Sequence, residues 1–230
     1  MGKKKMKRLA ELYAPIICFH SKEKYFPCSI EYFIKYCSIW NGKKELQVRK
    51  RCLKLPSDEK YKNISLKFNK KYKYGQTNEI YQNEIKNIPY YFYFYETKKS
   101  YRIVYIFIFP YNGSKTFNIK HVTFDIDKIT EKLQKVHFPG NIFTRKWVNV
   151  KDLRITRNKV IIYSSKFCHR LQKNDKNISL FCWENIKNNK IYWNTSNIIL
   201  IDKDTHWNKF PGRIGNDKNN KIPLYKSWYK

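Results

Sequence analysis

The chain is poor in acidic residues, in arginine and in long apolar runs. Asp and Glu number 18 against 48 Lys and Arg, and only nine of these cations are arginine. No apolar run approaches the roughly 18 residues of a membrane-spanning helix, so a spanning segment is not expected. The glycine-rich phosphate loop, the G-x-S-x-G elbow and the H-E-x-x-H zinc motif are also missing from the sequence. These absences favour a protein that is not an enzyme, without deciding the question.

The cysteines and the N-terminus favour a protein that is not secreted. Six cysteines occur without a C-x-x-C pair, which predicts reduced, mostly buried thiols rather than a disulfide framework or a zinc site. The first eight residues have the positive charge of a signal peptide, but Glu11 and Pro15 interrupt the following apolar stretch. Met6 stands where a myristoylation signal has Ser or Thr. We expect an intracellular protein, in the cytoplasm or in a virion.

The net charge of +30 is the most unusual property of the composition. Such a charge attracts nucleic acid or anionic lipid over roughly 8 to 10 Å at physiological salt. Two explanations stay open: a polyanion partner, or the lysine-rich coding of an AT-rich genome. Genome composition does not explain the scarcity of Asp and Glu, because their codons are also mostly AT. The candidate polyanion-binding residues are Lys3, Lys4, Lys5, Lys7, Arg8, Lys70, Lys71 and Lys73.

The pattern along the chain predicts one domain with a basic tail. Residues 1–8 are expected to form that tail, and residues 9–230 a single domain. Residues 41–87 are lysine-rich and polar, which predicts a long insertion with one or two short strands. The basic run 70–75, interleaved with tyrosine, has two interpretations. It is an edge strand guarded by lysines, or a surface that stacks bases while lysines hold phosphates.

Short aromatic and β-branched runs dominate the rest of the chain. Residues 90–96 and 101–109 flank a polar turn and predict a hairpin. Further strands are expected at 12–20, 121–126, 160–165 and 198–202. Ser29 is expected to cap a short helix over 27–36, and residues 129–136 to form a single helix-like turn or crossing. The predicted fold class is mostly β: a single-domain antiparallel β-sandwich with one or two short helices.

Six segments, in order along the chain, resemble one known family. They are Ala14–His20, Lys24–Phe33, Tyr101–Gly113, His121–Asp125, Val160–His169 and Trp207–Gly215. Together they resemble the vacuolar protein sorting-associated protein 62 family, whose biochemical activity is largely unknown. The resemblance includes two structural motifs. The first consists of Pro110, Tyr111, Asn112 and Gly113. The second includes Trp207, Gly212, Arg213 and Gly215. In the second motif, Pro-Gly at 211–212 predicts a tight turn.

The family's H-x-G-D-W-E sequence has no counterpart in this chain. Asn118-Ile119-Lys120 stands directly before His121, where the family has its two acids. An Asn carbonyl can coordinate a hard cation, but a lysine repels one and supplies no acceptor. The resemblance therefore implies that any metal or acid–base centre of the family at this place has been lost here.

Three histidines remain as candidate metal ligands: His121, His169 and His206. Three imidazoles suit zinc, but no carboxylates of the kind that orient such ligands accompany them. The competing interpretation is that His121 packs in a sheet and His206 lies on the surface beside Trp207. No cofactor is expected.

These observations predict a non-catalytic intracellular binding or structural protein with a basic surface that faces a polyanion, with virion association as one form of that role. The expected partner is nucleic acid or another polyanion. Two alternatives stay open. One is a peripheral membrane or trafficking protein on an anionic membrane surface, and the other is a hydrolase with a degenerate metal centre.

Overall fold

The structure is a computed structural model that describes residues 2–46, 62–68, 84–111, 116–139, 146–166, 168–174 and 191–214. Its α-helices are α1 at Lys3–Tyr13 and α2 at Ile30–Lys35. The strands are β1 Ile16–Phe19, β2 Cys37–Asn41, β3 Lys44–Leu46, β4 Ile64–Phe68, β5 Tyr90–Glu96, β6 Ser100–Tyr111, β7 Thr116–Asp127, β8 Leu133–Phe138, β9 Lys146–Asn149, β10 Ile155–Thr156, β11 Lys159–Ser164, β12 Leu171–Gln172, β13 Ile191–Trp193, β14 Ile198–Leu200 and β15 Arg213–Ile214. Short 3-10 helices lie at Ile85–Asn87, Val150–Asp152 and His206–Lys209.

The chain divides into two compact units. The single domain expected over residues 9–230 stays a prediction. The first unit comprises Met1–Lys24, Thr77–Phe107 and Ile119–Leu200, and the second comprises Tyr25–Gln76, Ile108–Asn118 and Ile201–Lys230. Most of a six-stranded sheet, in the order β14-β5-β6-β7-β8-β9, lies in the first unit. A five-stranded sheet also lies in the first unit. Four of its strands follow the order β10-β11-β1-β13, and β12 pairs with β11. The second unit has a four-stranded sheet in the order β15-β4-β2-β3.

The mostly β, sandwich-like fold class is confirmed, but the sheets are mixed rather than antiparallel. Each described sheet contains one parallel pair, namely β1 with β11, β5 with β14, and β4 with β15. The partners of each pair are far apart in the sequence, so hairpin patterns do not reveal them.

The core of the first unit centres on Trp193, which is fully buried. Its ring lies 4.4 Å from that of Tyr90 and 5.6 Å from that of Phe107, so β13 of the five-stranded sheet packs on β5 and β6 of the six-stranded sheet. The Tyr90 hydroxyl donates to the Trp193 carbonyl at 2.6 Å, and Trp193 Nε1 donates to the Ile88 carbonyl at 3.3 Å. Burial raises the pKa of Tyr90, which keeps its hydroxyl protonated as a donor.

The predicted basic tail is wrong for residues 3–8, which form the first turns of helix α1. The helix is anchored by Leu9 and Ala10, both fully buried. The Tyr105 hydroxyl donates to the Ala10 carbonyl at 2.7 Å, and the Tyr13 hydroxyl donates to the Glu131 carbonyl at 2.6 Å. The lysines of residues 3–8, which were predicted as a solvated tail, are therefore held on the first unit by the contacts of Leu9, Ala10 and Tyr13.

Several local predictions are confirmed. Strands β5 and β6 pair as the antiparallel hairpin, with Tyr95 opposite Arg102. Ser29 Oγ accepts from the Tyr32 backbone N–H at 3.1 Å and so caps α2. Strands β3 and β4 supply the short strands expected in the region 41–87.

Two local predictions are wrong. Residues 129–136 are not a helix-like crossing, because Leu133–Phe138 pairs with β7 as β8 and buries Val136 and Phe138 on one side. The strand expected over 12–20 begins only at Ile16, because α1 runs through Tyr13.

Candidate functional site

Two hairpin turns of the six-stranded sheet touch each other. They are the β5–β6 turn, residues 97–99, and the β7–β8 turn, residues 128–132. The backbone N–H of Lys128 donates to the Lys99 carbonyl at 3.2 Å. The Nζ of Lys128 lies 2.9 Å from a carboxylate oxygen of Glu96, at the end of β5. This ion pair lowers the pKa of Glu96.

Polar side chains hold both turns in shape. In the first, Thr97 Oγ1 accepts from the backbone N–H of Ser100 at 2.9 Å. In the second, Asp127 Oδ1 accepts from the backbone N–H groups of Ile129 and Thr130 at 2.9 and 2.7 Å. The hydrogen bonds from Thr130 lower the pKa of Asp127. Such side-chain bonds to the backbone are typical of ordered turns, so the backbone that carries the turn lysines is held in place.

Helix α1 lies against the second turn. The Nζ of Lys5 is 2.7 Å from Glu131 Oε1, and Arg8 forms an ion pair with the same carboxylate. Lys5 Nζ also lies 3.3 Å from the Tyr101 hydroxyl. The ring of Tyr101 lies 4.9 Å from the ammonium of Lys5 and 5.4 Å from that of Lys128. Three separated segments of the chain therefore meet at one surface.

We call this surface the basic end. It carries nine cations, Lys3, Lys4, Lys5, Lys7, Arg8, Lys98, Lys99, Lys128 and Lys132, and four carboxylates, Glu11, Glu96, Asp127 and Glu131. A groove of about 760 Å³ runs along α1, lined by Lys4, Lys5, Lys7, Arg8, Glu11 and Glu131. Within the described part of the chain, Lys4, Lys98 and Lys99 are exposed and have no ion-pair partner. The basic end therefore keeps an excess of positive charge.

Glu131 makes the attachment of α1 pH-dependent. Hydrogen bonds from Lys5 and then Arg8 lower the pKa of Glu131, so its stabilising effect is complete above the ordinary value of 4.5 and is lost as the pH falls through the lowered value. We expect Glu131→Gln to lower the thermal unfolding midpoint at pH 7, and the difference from the unmodified chain to shrink toward zero below pH 4.5. Melting curves between pH 7 and pH 3 measure this, and a constant difference over that window would contradict it.

A second polar cluster lies on one face of β5 to β9, in the first unit. Asp125 is 7% exposed and accepts from Ser100 Oγ at 2.7 Å and from Arg102 Nε at 2.8 Å. The Nζ of Lys135 lies 3.7 Å from the other carboxylate oxygen. One carboxylate thus serves two cations and a hydroxyl, and it is engaged as a hydrogen-bond acceptor rather than available as a general base.

Aromatic rings flank the two cations of this cluster. The Arg102 guanidinium lies 5.8 Å from the Tyr95 ring and 5.0 Å from the Trp147 ring. The Lys135 ammonium lies 4.9 Å from the centroid of the Trp147 ring. The centroid of the His137 ring lies 5.0 Å from that of the Trp147 ring. We call this group the outer sheet face: Tyr95, Arg102, Asp125, Lys135, His137 and Trp147. A cleft of about 410 Å³ opens beside it, with Lys98, Lys99 and Gln134 among its lining residues.

The predicted polyanion residues fall into two groups. Lys3, Lys4, Lys5, Lys7 and Arg8 lie on α1 at the basic end. Lys70, Lys71 and Lys73 lie outside the described residues. The turn lysines and the outer sheet face were missed by sequence reasoning. A charged residue inside an apolar run would have pointed to the outer sheet face. Arg102 lies in the run 101–109, and Asp125 lies in the run 121–126.

The candidate three-histidine zinc site is not assembled in the described part of the chain. There, no group of three His, Cys, Asp or Glu side chains is placed to hold a metal ion. His121 is half-buried in β7, and His206 is exposed on a 3-10 helix. His169 is fully buried, with Nε2 3.6 Å from Glu23 Oε2.

The segment Asn118-Ile119-Lys120, which replaces the family's acids, lies near the start of β7. All three residues are half-buried. They are preceded by Phe117, whose φ is 63°.

The described motif residues belong to the second unit. Pro110 and Tyr111 end β6, and Tyr111 stacks on Tyr25 with ring centroids 5.6 Å apart. Asn112, Gly113 and Gly215 lie outside the described residues.

The described residues of the C-terminal motif pack closely. Trp207 is 2% exposed, and Arg213 pairs with Ser65 in β4. A Cβ on Gly212 would lie 2.5 Å from the Ile64 carbonyl oxygen, so this position has room only for glycine.

The four described cysteines comprise three free thiols and one disulfide-bonded residue, and Cys52 and Cys182 lie outside the described residues. Cys18 and Cys28 are free and buried, and Cys37 is free and half-buried. Burial raises the pKa of Cys28. Cys168 is disulfide-bonded, which corrects the prediction of a reduced thiol at this position. The absence of a C-x-x-C pair does not exclude a bridge between cysteines that folding brings together.

Comparison with known families tests the resemblance that the sequence segments suggested. The family described as vacuolar protein sorting-associated protein 62 matches residues 2–179, which confirms the resemblance. The chain belongs to this family. No curated protein matches the chain.

Solved structures give distant likenesses. NLPPya in complex with mannosamine is 10% identical over 84% of this chain and 71% of that chain, with a TM-score of 0.42. NLPPya in complex with glucosamine has the same identity and coverage, with a TM-score of 0.43. Necrosis and Ethylene inducing Protein 2, from the causal agent of witches' broom disease of cocoa, is 11% identical over 78% and 74%, with a TM-score of 0.40. None of these likenesses bears on function at such TM-scores.

Proposed function

We propose that this member of the vacuolar protein sorting-associated protein 62 family is a non-catalytic binding protein whose basic end engages the phosphates of nucleic acid or another polyanion. The observation that supports this is the meeting of α1 with the turns 97–99 and 128–132. Nine cations and four carboxylates share that surface. Phosphate contacts by lysine are sequence-independent and dominate the affinity of such proteins.

The proposal rests on where the cations lie, because three separated segments of the chain bring them to one surface. Here the cations come from 3–8, 98–99 and 128–132, and Glu131 holds the helix against the second turn. Lys4, Lys98 and Lys99, which have no carboxylate partner in the part of the chain that the structure describes, remain available to an external anion.

A salt titration tests the proposal. Binding of the intact chain to mixed-sequence DNA and RNA would be measured by fluorescence anisotropy between 50 and 300 mM salt. We expect the logarithm of the affinity to fall linearly with the logarithm of salt concentration, with a slope of about three or more released ions. Weak binding with a slope near zero would contradict a phosphate-binding surface.

An anionic membrane is the second candidate partner, and Ile129 is the observation that favours it. Ile129 is 94% exposed at the tip of the β7–β8 turn, between Lys128 and Lys132. An apolar tip among lysines can enter a bilayer while the lysines bind headgroups. No helix in the described ranges is long and apolar enough to cross a membrane. The expected location, in the cytoplasm or in a virion, stays a prediction.

Vesicle flotation separates the two partners. If the partner is a membrane, the chain should float with phosphatidylserine vesicles, and Ile129→Ser should reduce flotation about threefold or more, because burying an isoleucine side chain contributes about 1.5 to 3 kcal/mol when complete. Ile155→Ser is the matched control, since Ile155 is 45% exposed on β10, outside the basic end. Equal flotation of all three proteins, or none by the intact chain, would remove the membrane candidate.

A further inference from the structure

We infer that the outer sheet face is a stacking platform for the unpaired bases of single-stranded nucleic acid. The inference rests on the proposed function, because it names the class of polyanion that the basic end would hold. It adds a second surface with its own residues and its own test.

The platform is built by cross-strand pairs on one side of the sheet. Tyr95 lies opposite Arg102 on the β5–β6 pair, and His137 lies opposite Trp147 on the β8–β9 pair. Side chains of such pairs point to the same face. The other face of the same strands is core, with Phe124 and Val136 fully buried. Tyr93 and Val104, the next pair on the face of Tyr95 and Arg102, are buried. The platform is therefore the part of this face near the β5–β6 turn and along β8 and β9.

Trp147 is the element of the platform most open to a ligand. It is 38% exposed, which is unusual for a large aromatic side chain on a strand. The Arg102 and Lys135 cations lie over its indole ring, at 5.0 and 4.9 Å from the ring centroid, so a base has to stack on the area of the ring that they leave exposed. A base stacked on an exposed indole contacts an apolar surface, while neighbouring cations compensate the charge of its phosphate.

Asp125 keeps the Arg102 guanidinium in place. Its Oδ1 accepts from Arg102 Nε at 2.8 Å, while Arg102 Nη1 lies 3.4 Å from the Tyr95 hydroxyl. These contacts fix the orientation of the guanidinium plane between the Tyr95 and Trp147 rings. A planar guanidinium stacks on bases as aromatic rings do, and a side chain fixed before binding loses less entropy when the ligand arrives.

The cleft connects this platform with the basic end. Its volume of about 410 Å³ lies within the range of about 300 to 1,000 Å³ typical of ligand pockets. Lys98 and Lys99 line it and also belong to the basic end. A strand with unstacked bases can place a base on Trp147 and its neighbouring phosphates on these lysines. A duplex keeps its bases paired, so it reaches only the lysines.

The test compares one oligonucleotide as a single strand and as a duplex. We expect Trp147→Ala to weaken binding of the single strand about tenfold and to leave duplex binding within about twofold. Arg102→Lys keeps the charge and removes the stacking plane, so it should weaken single-strand binding severalfold with the duplex again unchanged. Tyr192→Ala, which removes a 50% exposed aromatic ring from β13 of the other sheet, should change neither. Far-ultraviolet circular dichroism and the unfolding midpoint verify that each variant is folded.

The outcomes separate the platform from the proposed function. Unchanged single-strand binding by both folded variants, or an equal loss for single strand and duplex, overturns the platform while the phosphate-binding basic end stands. Failure of the intact chain to bind either form overturns both. Selective loss for the single strand, in either variant, supports the platform.

Discussion

Changing Lys98 and Lys99 together to glutamate is expected to weaken single-strand binding on the order of 25-fold at about 0.1 M salt. Each lost phosphate contact lowers the salt slope by about 0.7 for a single strand, so two lost contacts remove about 1.4 logarithmic units of affinity at that concentration. The two carboxylates also repel the phosphates, which adds to the loss. Both lysines are exposed and have no ion-pair partner among the described residues, so the effect on stability should be small.

The matched control for this variant changes the same charge elsewhere. Lys22 and Lys86 are exposed and lie outside the basic end, and their double change to glutamate gives the same net charge. We expect a loss below about threefold for the control, because it acts only through the overall field of the protein. If the two double variants lost affinity equally, binding would depend on total charge, and the basic end would not be the site.

Trp193→Ala is expected to reduce the free energy of unfolding by about 3 to 5 kcal/mol, the range found when a fully buried Trp or Phe is removed. The indole fills the space between the two sheets of the first unit, against Tyr90, Phe107 and Phe19. Its removal also leaves the Ile88 carbonyl without the Nε1 donor at 3.3 Å. Unfolding in urea, followed by circular dichroism, measures the change.

Tyr192→Ala provides the control on the same strand. Side chains alternate along β13, so Tyr192 is 50% exposed while Trp193 is fully buried. We expect the control to cost less than about 1 kcal/mol. Similar losses for the two variants would mean that the Trp193 contacts do not hold the sheets together.

Local features of the fold were readable from the sequence. The hairpin of β5 and β6 was predicted because aromatic and β-branched runs flank a polar turn, a signal contained in neighbouring residues. The cap at Ser29 was predicted because a hydroxyl stands directly before a short periodic apolar segment.

Features that depend on distant partners were not readable. Each parallel pair joins strands that are far apart in the sequence, such as β1 and β11. Residues 3–8 are mostly lysine and were predicted as a tail, but Tyr105 and Glu131 supply contacts that hold the helix containing them, to Ala10 and to Lys5. Neither residue is near α1 in the sequence, so the residue pattern of α1 alone could not show that the helix is anchored.

The candidate site was predicted only in part. The cations of α1 were identified from charge alone, since a lysine run is visible without any fold. Lys98, Lys99 and Lys128 come together only because the two turns touch each other. That contact depends on the pairing of the sheet, which the sequence does not show. The outer sheet face likewise depends on the register that places Tyr95 by Arg102 and Trp147 by His137.

Protection of lysines from acetylation tests the central claim most directly, because it locates the polyanion on the chain. The intact protein would be acetylated with and without a saturating oligonucleotide, and each lysine quantified by mass spectrometry. The account predicts protection of Lys4, Lys98 and Lys99 at the basic end, and none of Lys22 and Lys86. Protection confined to other lysines, including Lys70, Lys71 and Lys73, or uniform protection of all lysines, would contradict it.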